Sequence, residues 1–158
     1  MWIFILVIIL LTLLILVTNI YVVQQSRAYV IERLGAFHAV QGVGLHFKVP
    51  FIDSVKYFPK ATQLYDIPPS EVLTSDKQNM TVDCYILWSI SDPKLFYQTL
   101  TTTANAEQRL DALTYNELKT VMGTLAQSDI INMEEGAKRN EIYEKISSDV
   151  DALAATYG

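Results

Sequence analysis

The 158-residue chain carries one cysteine, two histidines and no charged side chain before Arg27. A lone Cys84 excludes an internal disulfide and favours a reducing compartment without fixing one. It sits in "TVDCYILW", an alternating strand pattern, and reads as a buried, inert thiol. His38 and His46 flank the turn "VQGVG". A hairpin would bring them together, but no third ligand accompanies them, so they read as surface or satisfied histidines and no metal is expected. G-x-S-x-G, H-E-x-x-H and G-x-x-x-x-G-K-[ST] are all missing. "GVG" lacks the third glycine and helix start of a dinucleotide loop. "NMT" at Asn79–Thr81 matches a glycosylation acceptor, a three-residue pattern that says little. With no nucleophile–base pair the chain is expected to be neither an enzyme nor a cofactor carrier.

Basic clusters are missing too. Twelve Lys and Arg stand against seventeen Asp and Glu, a net charge of −5. That balance argues against nucleic acid as a partner, and against electrostatic attachment to anionic lipid.

What the chain does have is a charge-free start. "MWIFILVIILLTLLILVTNIYVV" (Met1–Val23) carries Thr12, Thr18 and Asn19 as its only clearly polar side chains. As one helix at about 1.5 Å per residue it would cross a hydrocarbon core of about 30 Å, so a transmembrane helix over 1–23 is expected. Trp2 and Tyr21 lie near its ends, where aromatic belts form. A cleaved signal peptide would need a basic start and a small-residue cleavage site, and neither is present. Arg27, Arg33 and Lys48 follow the apolar run and nothing basic precedes it, which favours a cytoplasmic body.

From residue 24 to 92 the texture is β. Short β-branched and aromatic runs are punctuated by Gly35, Gly42, Gly44, Pro50, Pro59, Pro68 and Pro69. In "TVDCYILWSI", Val82, Cys84, Ile86, Trp88 and Ile90 share one face, and Ile86 and Trp88 are expected in the core. Residues 93–158 read as helical. Asp92-Pro93 opens a short helix. Asn105 followed by Gln108 suggests the cap of the next, whose apolar positions run Ala106, Leu110, Leu113, Leu118, Val121, Met122 and Leu125. Glu117 falls inside that apolar half, where it reads as an edge carboxylate that snorkels or pairs with a nearby base in preference to a buried acid. A third, more charged helical stretch includes "EEGAKRNE" and a thin stripe of Ile131, Ile142, Ile146, Val150 and Leu153. Strands followed by helices mean an α+β fold, an antiparallel twisted sheet with helices packed on it.

The ordered set "ERLGAF", "GVGLHFKVPFIDSV", "PPSEVLTSD", "VDCYILWSISDP", "FYQTL" and "LKTVMGTL" resembles the band-7 (SPFH) superfamily of stomatins, prohibitins and flotillins. Within it the resemblance is to HflC-type modulators of the membrane protease FtsH. The resemblance implies a membrane-anchored, non-enzymatic scaffold that self-associates or pairs with an HflK-type paralogue, and that confines or modulates an FtsH-type AAA protease at the plasma membrane. The alternative it implies is a stomatin-like organiser of lipid and protein microdomains without a protease partner. It further implies that Gly42, Gly44, Pro50 and Phe51 belong to a membrane-proximal hairpin resting against lipid or a neighbouring subunit. Relatives of this type place their body outside the cytoplasm, opposite to the charge count. They continue past "YG" with a strand and a coiled coil, so the chain reads as a C-terminally truncated form.

Overall fold

A computed structural model describes residues 1–131 and 136–158. Glu134 and Glu135, at the start of the charged stretch noted above, lie outside the described residues. The architecture is α+β: among the described residues seven strands alternate with turns, and the helices other than the first follow them. The chain divides into two compact units, residues 1–61 with 89–98, and residues 62–88 with 99–158.

The first unit begins with α1, Trp2–Thr18. Here an expectation is overturned. The transmembrane helix expected over 1–23 does not form; α1 is 17 residues long, or about 26 Å. Among the described residues no helix is long and apolar enough to cross a membrane. The physical reason lies at its end. Thr18 Oγ1 donates back to the carbonyls of Leu14 and Ile15, and Asn19 Nδ2 also donates to Ile15. These local bonds engage carbonyls of the last turn. The next residues, Ile20–Val23, form β1 and pair antiparallel with β4 (Gly44–Phe47), placing Ile20 opposite Phe47. Backbone committed to that ladder cannot extend a helix.

A second antiparallel sheet has the order β3-β2-β5, with β2 at Arg27–Arg33, β3 at Ala36–Gln41 and β5 at Asp53–Pro59. Central β2 buries Ala28, Tyr29, Val30 and Ile31 consecutively, as a strand covered on both faces must. Aromatic rings pack this unit. Tyr21 stacks on Tyr29, and Tyr29 lies 5.9 Å from Tyr57 between ring centres. The short helix α2 (Pro93–Thr99) contributes buried Phe96, edge-on to Phe58 at 5.1 Å. Asp92 caps α2 as its sequence suggests, accepting from the N–H groups of Lys94 and Leu95.

In the second unit a two-stranded ribbon pairs β6 (Gln63–Leu73) with β7 (Asn79–Trp88). Pro68 and Pro69 fall at a register shift between Ile67 and Ser70, a place in the ladder that tolerates residues without an N–H. The inward face follows period two. Met80, Val82, Cys84, Ile86 and Trp88 are half-buried, and the residues between them are exposed. Ile86 and Trp88 thus lie on the expected face without being fully enclosed. The long helix α3 (Thr103–Met122) starts earlier than Asn105. Thr102 is its N-cap, accepting from the Asn105 N–H, while the Asn105 side chain turns back to the Leu100 carbonyl. Its buried face is Ala106, Leu110, Leu113, Thr114, Leu118 and Val121, and Glu117 is half-buried beside it. Leu118 and Val121 form a cluster with Ile146 and Val150 of α5 (Gly136–Ala154), over Val82 and Cys84.

The ribbon's turn is fastened to the end of α3. Ser75 N–H donates to the Leu125 carbonyl, and the N–H of Gln127, which opens α4 (Gln127–Ile131), donates to Asp76. Asp76 also accepts from Thr74 Oγ1, which holds its carboxyl below the usual range.

Candidate functional site: an apolar tip on the first unit

The "GLHFKVPFIDSV" stretch takes its shape from its turns. β4 ends at Phe47, Pro50 and Phe51 lie in the turn that follows, and β5 begins at Asp53. Pro50 therefore sits outside every ladder, where its missing N–H costs nothing. Of the two glycines singled out, Gly44 opens β4 at φ +134°, a conformation that side-chain-bearing residues rarely adopt. Gly42 lies in the link before it, and its carbonyl is 2.7 Å from His46 Nε2. His46 also tilts against the Tyr21 ring. His38 lies on β3.

Phe51 is fully exposed, with φ +66°. Left-handed backbone costs a non-glycine residue roughly 1–2 kcal/mol. Beside it, the turn joining β2 and β3 carries Leu34, which is 80% exposed at φ +50°. The two turns are tied, since the Leu34 N–H donates to the Ile52 carbonyl at 3.1 Å. Leu34, Phe51 and the partly exposed Ile52 thus make an apolar tip at one end of the sheet. The alternation in "ERLGAF" points to a hairpin turn at Leu34-Gly35. Nothing in the sequence ties that turn to Phe51.

An ion pair underlies the tip. β2 and β5 set Arg33 opposite Asp53. Arg33 Nε and Nη2 donate to the two Asp53 carboxylate oxygens at 2.7 and 3.0 Å. The Val49 N–H donates to the same carboxylate at 2.9 Å, and the Asp53 N–H donates to the Val49 carbonyl. Only 2% of the Asp53 side chain is exposed. The Arg33 hydrogen bond, then that of Val49, lowers its pKa to about 2. A bidentate arginine fixes geometry as well as charge, so this pair sets the level from which the Pro50–Phe51 turn projects.

Tyr97 donates its hydroxyl to Glu32 at 2.9 Å, and burial with that acceptor raises its pKa. Burial also raises Tyr21, with Asp53 adding to it. In the second unit, burial first, then Asp83 and other carboxylates, push the Cys84 thiol up, which favours the less nucleophilic protonated form. The site thus consists of shape and apolar surface.

Residues 21–158 match the SPFH domain / Band 7 family. The chain belongs to that family. It is 30% identical over 152 residues to the modulator of FtsH protease HflC of Escherichia coli, covering 89% of this chain and 45% of that protein. It is 33% identical over 109 residues to the protein HflC of Borreliella burgdorferi, covering 67% and 34%. A Band 7 protein of Drosophila melanogaster is 32% identical over 113 residues, covering 70% and 22%. This SPFH chain therefore spans less than half the length of these relatives. The match begins at Tyr21, so it takes in the strands that carry the tip and leaves α1 outside.

Proposed function

We propose that this chain is a membrane-associated, non-enzymatic scaffold subunit that modulates or confines an FtsH-type membrane protease, alone or with an HflK-type paralogue. The observation that carries this reading is the similarity of 89% of the chain to a modulator of FtsH protease. The site described above supports it, because its surface suits binding and offers no reacting groups. In this reading the Gly42–Gly44 and Pro50–Phe51 turns are the membrane-proximal element, and Phe51, Leu34 and Ile52 meet the apolar margin of the bilayer. The exposed apolar side chains of α1 add a second surface that water does not favour.

Co-purification from detergent extracts tests the reading. Tagged chain should retain an FtsH-type protease and slow the degradation of a membrane substrate. Retention of lipid without any protease would instead favour an organiser of membrane microdomains, a role to which the apolar tip is equally suited. Casein or ester cleavage by purified chain would overturn the non-enzymatic assignment.

A further inference from the structure

The two units differ in charge. The first carries six Lys and Arg against three Asp and Glu, a net +3; the second carries six against fourteen, a net −8. On each unit, one exposed strand surface carries charge of the unit's own sign.

In the second unit the surface is the outer face of the β6–β7 ribbon. Leu64 lies opposite Leu87, and Asp66 opposite Tyr85. Leu64, Tyr85 and Leu87 are 65%, 66% and 63% exposed. They form an apolar patch with Asp66 within it and exposed Asp83 next along β7. Neither strand contains a lysine or arginine.

In the first unit the surface is β5, an edge strand of its sheet. Tyr57 is exposed there, with the Arg27 guanidinium 4.6 Å above its ring. Lys56 and Lys60 are exposed beside it. Asp53, the one carboxylate of β5, is already engaged by Arg33 at the far end of the strand.

We infer that copies of this chain associate head to tail, the outer β6–β7 face of one copy seating on the β5 edge of the next. The inference rests on the scaffold reading above and names the surfaces through which such a scaffold would grow. Charge complementarity selects the pairing. Two ribbon faces brought together would oppose Asp66 and Asp83 to themselves, and two β5 edges would oppose Lys56 and Lys60. Each like-charged pairing is repelled, while ribbon to edge is attracted. The apolar groups supply contact area: Leu64, Tyr85 and Leu87 on one side, the stem of Tyr57 and the lysine methylenes on the other. Lys56 on β5 also disfavours strand-to-strand addition along that edge, so the ribbon seats by its side chains. Two different surfaces make the contact heterologous, and such contacts close into rings or extend as filaments.

Charge swapping in the full chain, in dodecylmaltoside micelles at low ionic strength, tests this by sedimentation velocity. One variant carries Asp66→Lys with Asp83→Lys; the other carries Lys56→Glu with Lys60→Glu. Wild type should sediment as multimers that dissociate as salt is raised. Each variant alone should sediment as a single chain in its micelle. Mixing the two should restore multimers, because each variant's altered surface complements the other's. Unchanged circular dichroism serves as the fold control. If a reversal unfolds the chain, Asp66→Asn with Asp83→Asn replaces it and should weaken association at least tenfold and flatten its salt dependence. Multimers that survive either reversal, or a mixture that stays single, would overturn the head-to-tail contact alone. A wild-type chain that never multimerises would overturn both the contact and the self-associating scaffold.

Discussion

The two units of this chain solve the burial problem differently. The first is built from short strands and packs with rings: Tyr21, Tyr29 and Tyr57 form a ladder across them, and Phe58 meets Phe96 edge to face. The second packs with aliphatic side chains, Leu118 and Val121 of α3 against Ile146 and Val150 of α5 over the β6–β7 ribbon. Rings carry a large apolar area on few positions, which suits short strands; aliphatic stripes need long helices to repeat them. The difference teaches where each unit is fragile. The first depends on a few irreplaceable residues, and the second spreads its burial over many.

Replacing one ring in the first unit sharpens that contrast most. Phe96→Ala should cost about 3–5 kcal/mol, the range for deleting a buried aromatic. Leu118→Ala in the second unit should cost about 2–5 kcal/mol, with losses shared among more neighbours. Hydrogen exchange read unit by unit checks both. Phe96→Ala should deprotect β2 and β5 while α3 keeps its protection, and equal loss in both units would break the comparison.

Trp88→Ala should fall below these, at about 1–3 kcal/mol, because the indole is half-buried on the ribbon's inner face. Chemical denaturation measures it. A loss as large as that of Phe96 would mean that the ribbon, too, hangs on a single ring.

Acid probes the first unit in another way. The Asp53 carboxyl has a pKa of about 2 in the folded chain against an ordinary 3.8. A lowered folded pKa contributes stability above the ordinary value, and that contribution is lost as pH falls through about 2. Arg33→Ala should return the Asp53 titration upward, shifting acid unfolding of the first unit to higher pH. Carboxyl carbon chemical shifts followed against pH read this directly; an unmoved titration would show that the Val49 N–H alone holds the carboxylate.

The smallest effect on stability belongs to the tip. Phe51→Gly relieves a left-handed residue that buries nothing, so it should be neutral or stabilising by up to about 1 kcal/mol. The same substitution should weaken flotation of the chain with neutral phosphatidylcholine vesicles. Unchanged flotation would remove Phe51 from any lipid contact.

Much of this arrangement is written in local pattern. Period-two alternation marks the inner face of β7, 3.6-residue spacing marks the buried face of α3, and Asp92-Pro93 marks the start of α2. Boundaries set by distant partners are not legible in that way. The greasy run from Met1 to Val23 has no internal signal of where its helix stops. Thr18 and Asn19 bend back on the last turn, and β4, more than twenty residues later, claims Ile20–Val23 for a ladder. Thr102 displaces Asn105 as the cap because Asn105 finds the Leu100 carbonyl. The tip follows the same logic. Pro50 and Phe51 are visible as a turn, but the junction with Leu34 exists only once β2 and β5 pair and Arg33 reaches Asp53. Side chains that meet across strands far apart in sequence leave no periodicity to read.

The end of the helical region is held in a manner that bears on how it would carry force. Arg109 of α3 donates two hydrogen bonds to the Tyr157 hydroxyl, with its guanidinium over the ring, and Thr99 donates to the Tyr157 carbonyl. Tension applied at Tyr157 is therefore shared by two anchors in parallel, one on α3 and one at the end of α2, instead of peeling α5 from its last turn one bond at a time. Both anchors are exposed and would yield before the buried aliphatic cluster of α3 and α5. Under a modest pull Tyr157 would slip first while the packed helices stay seated.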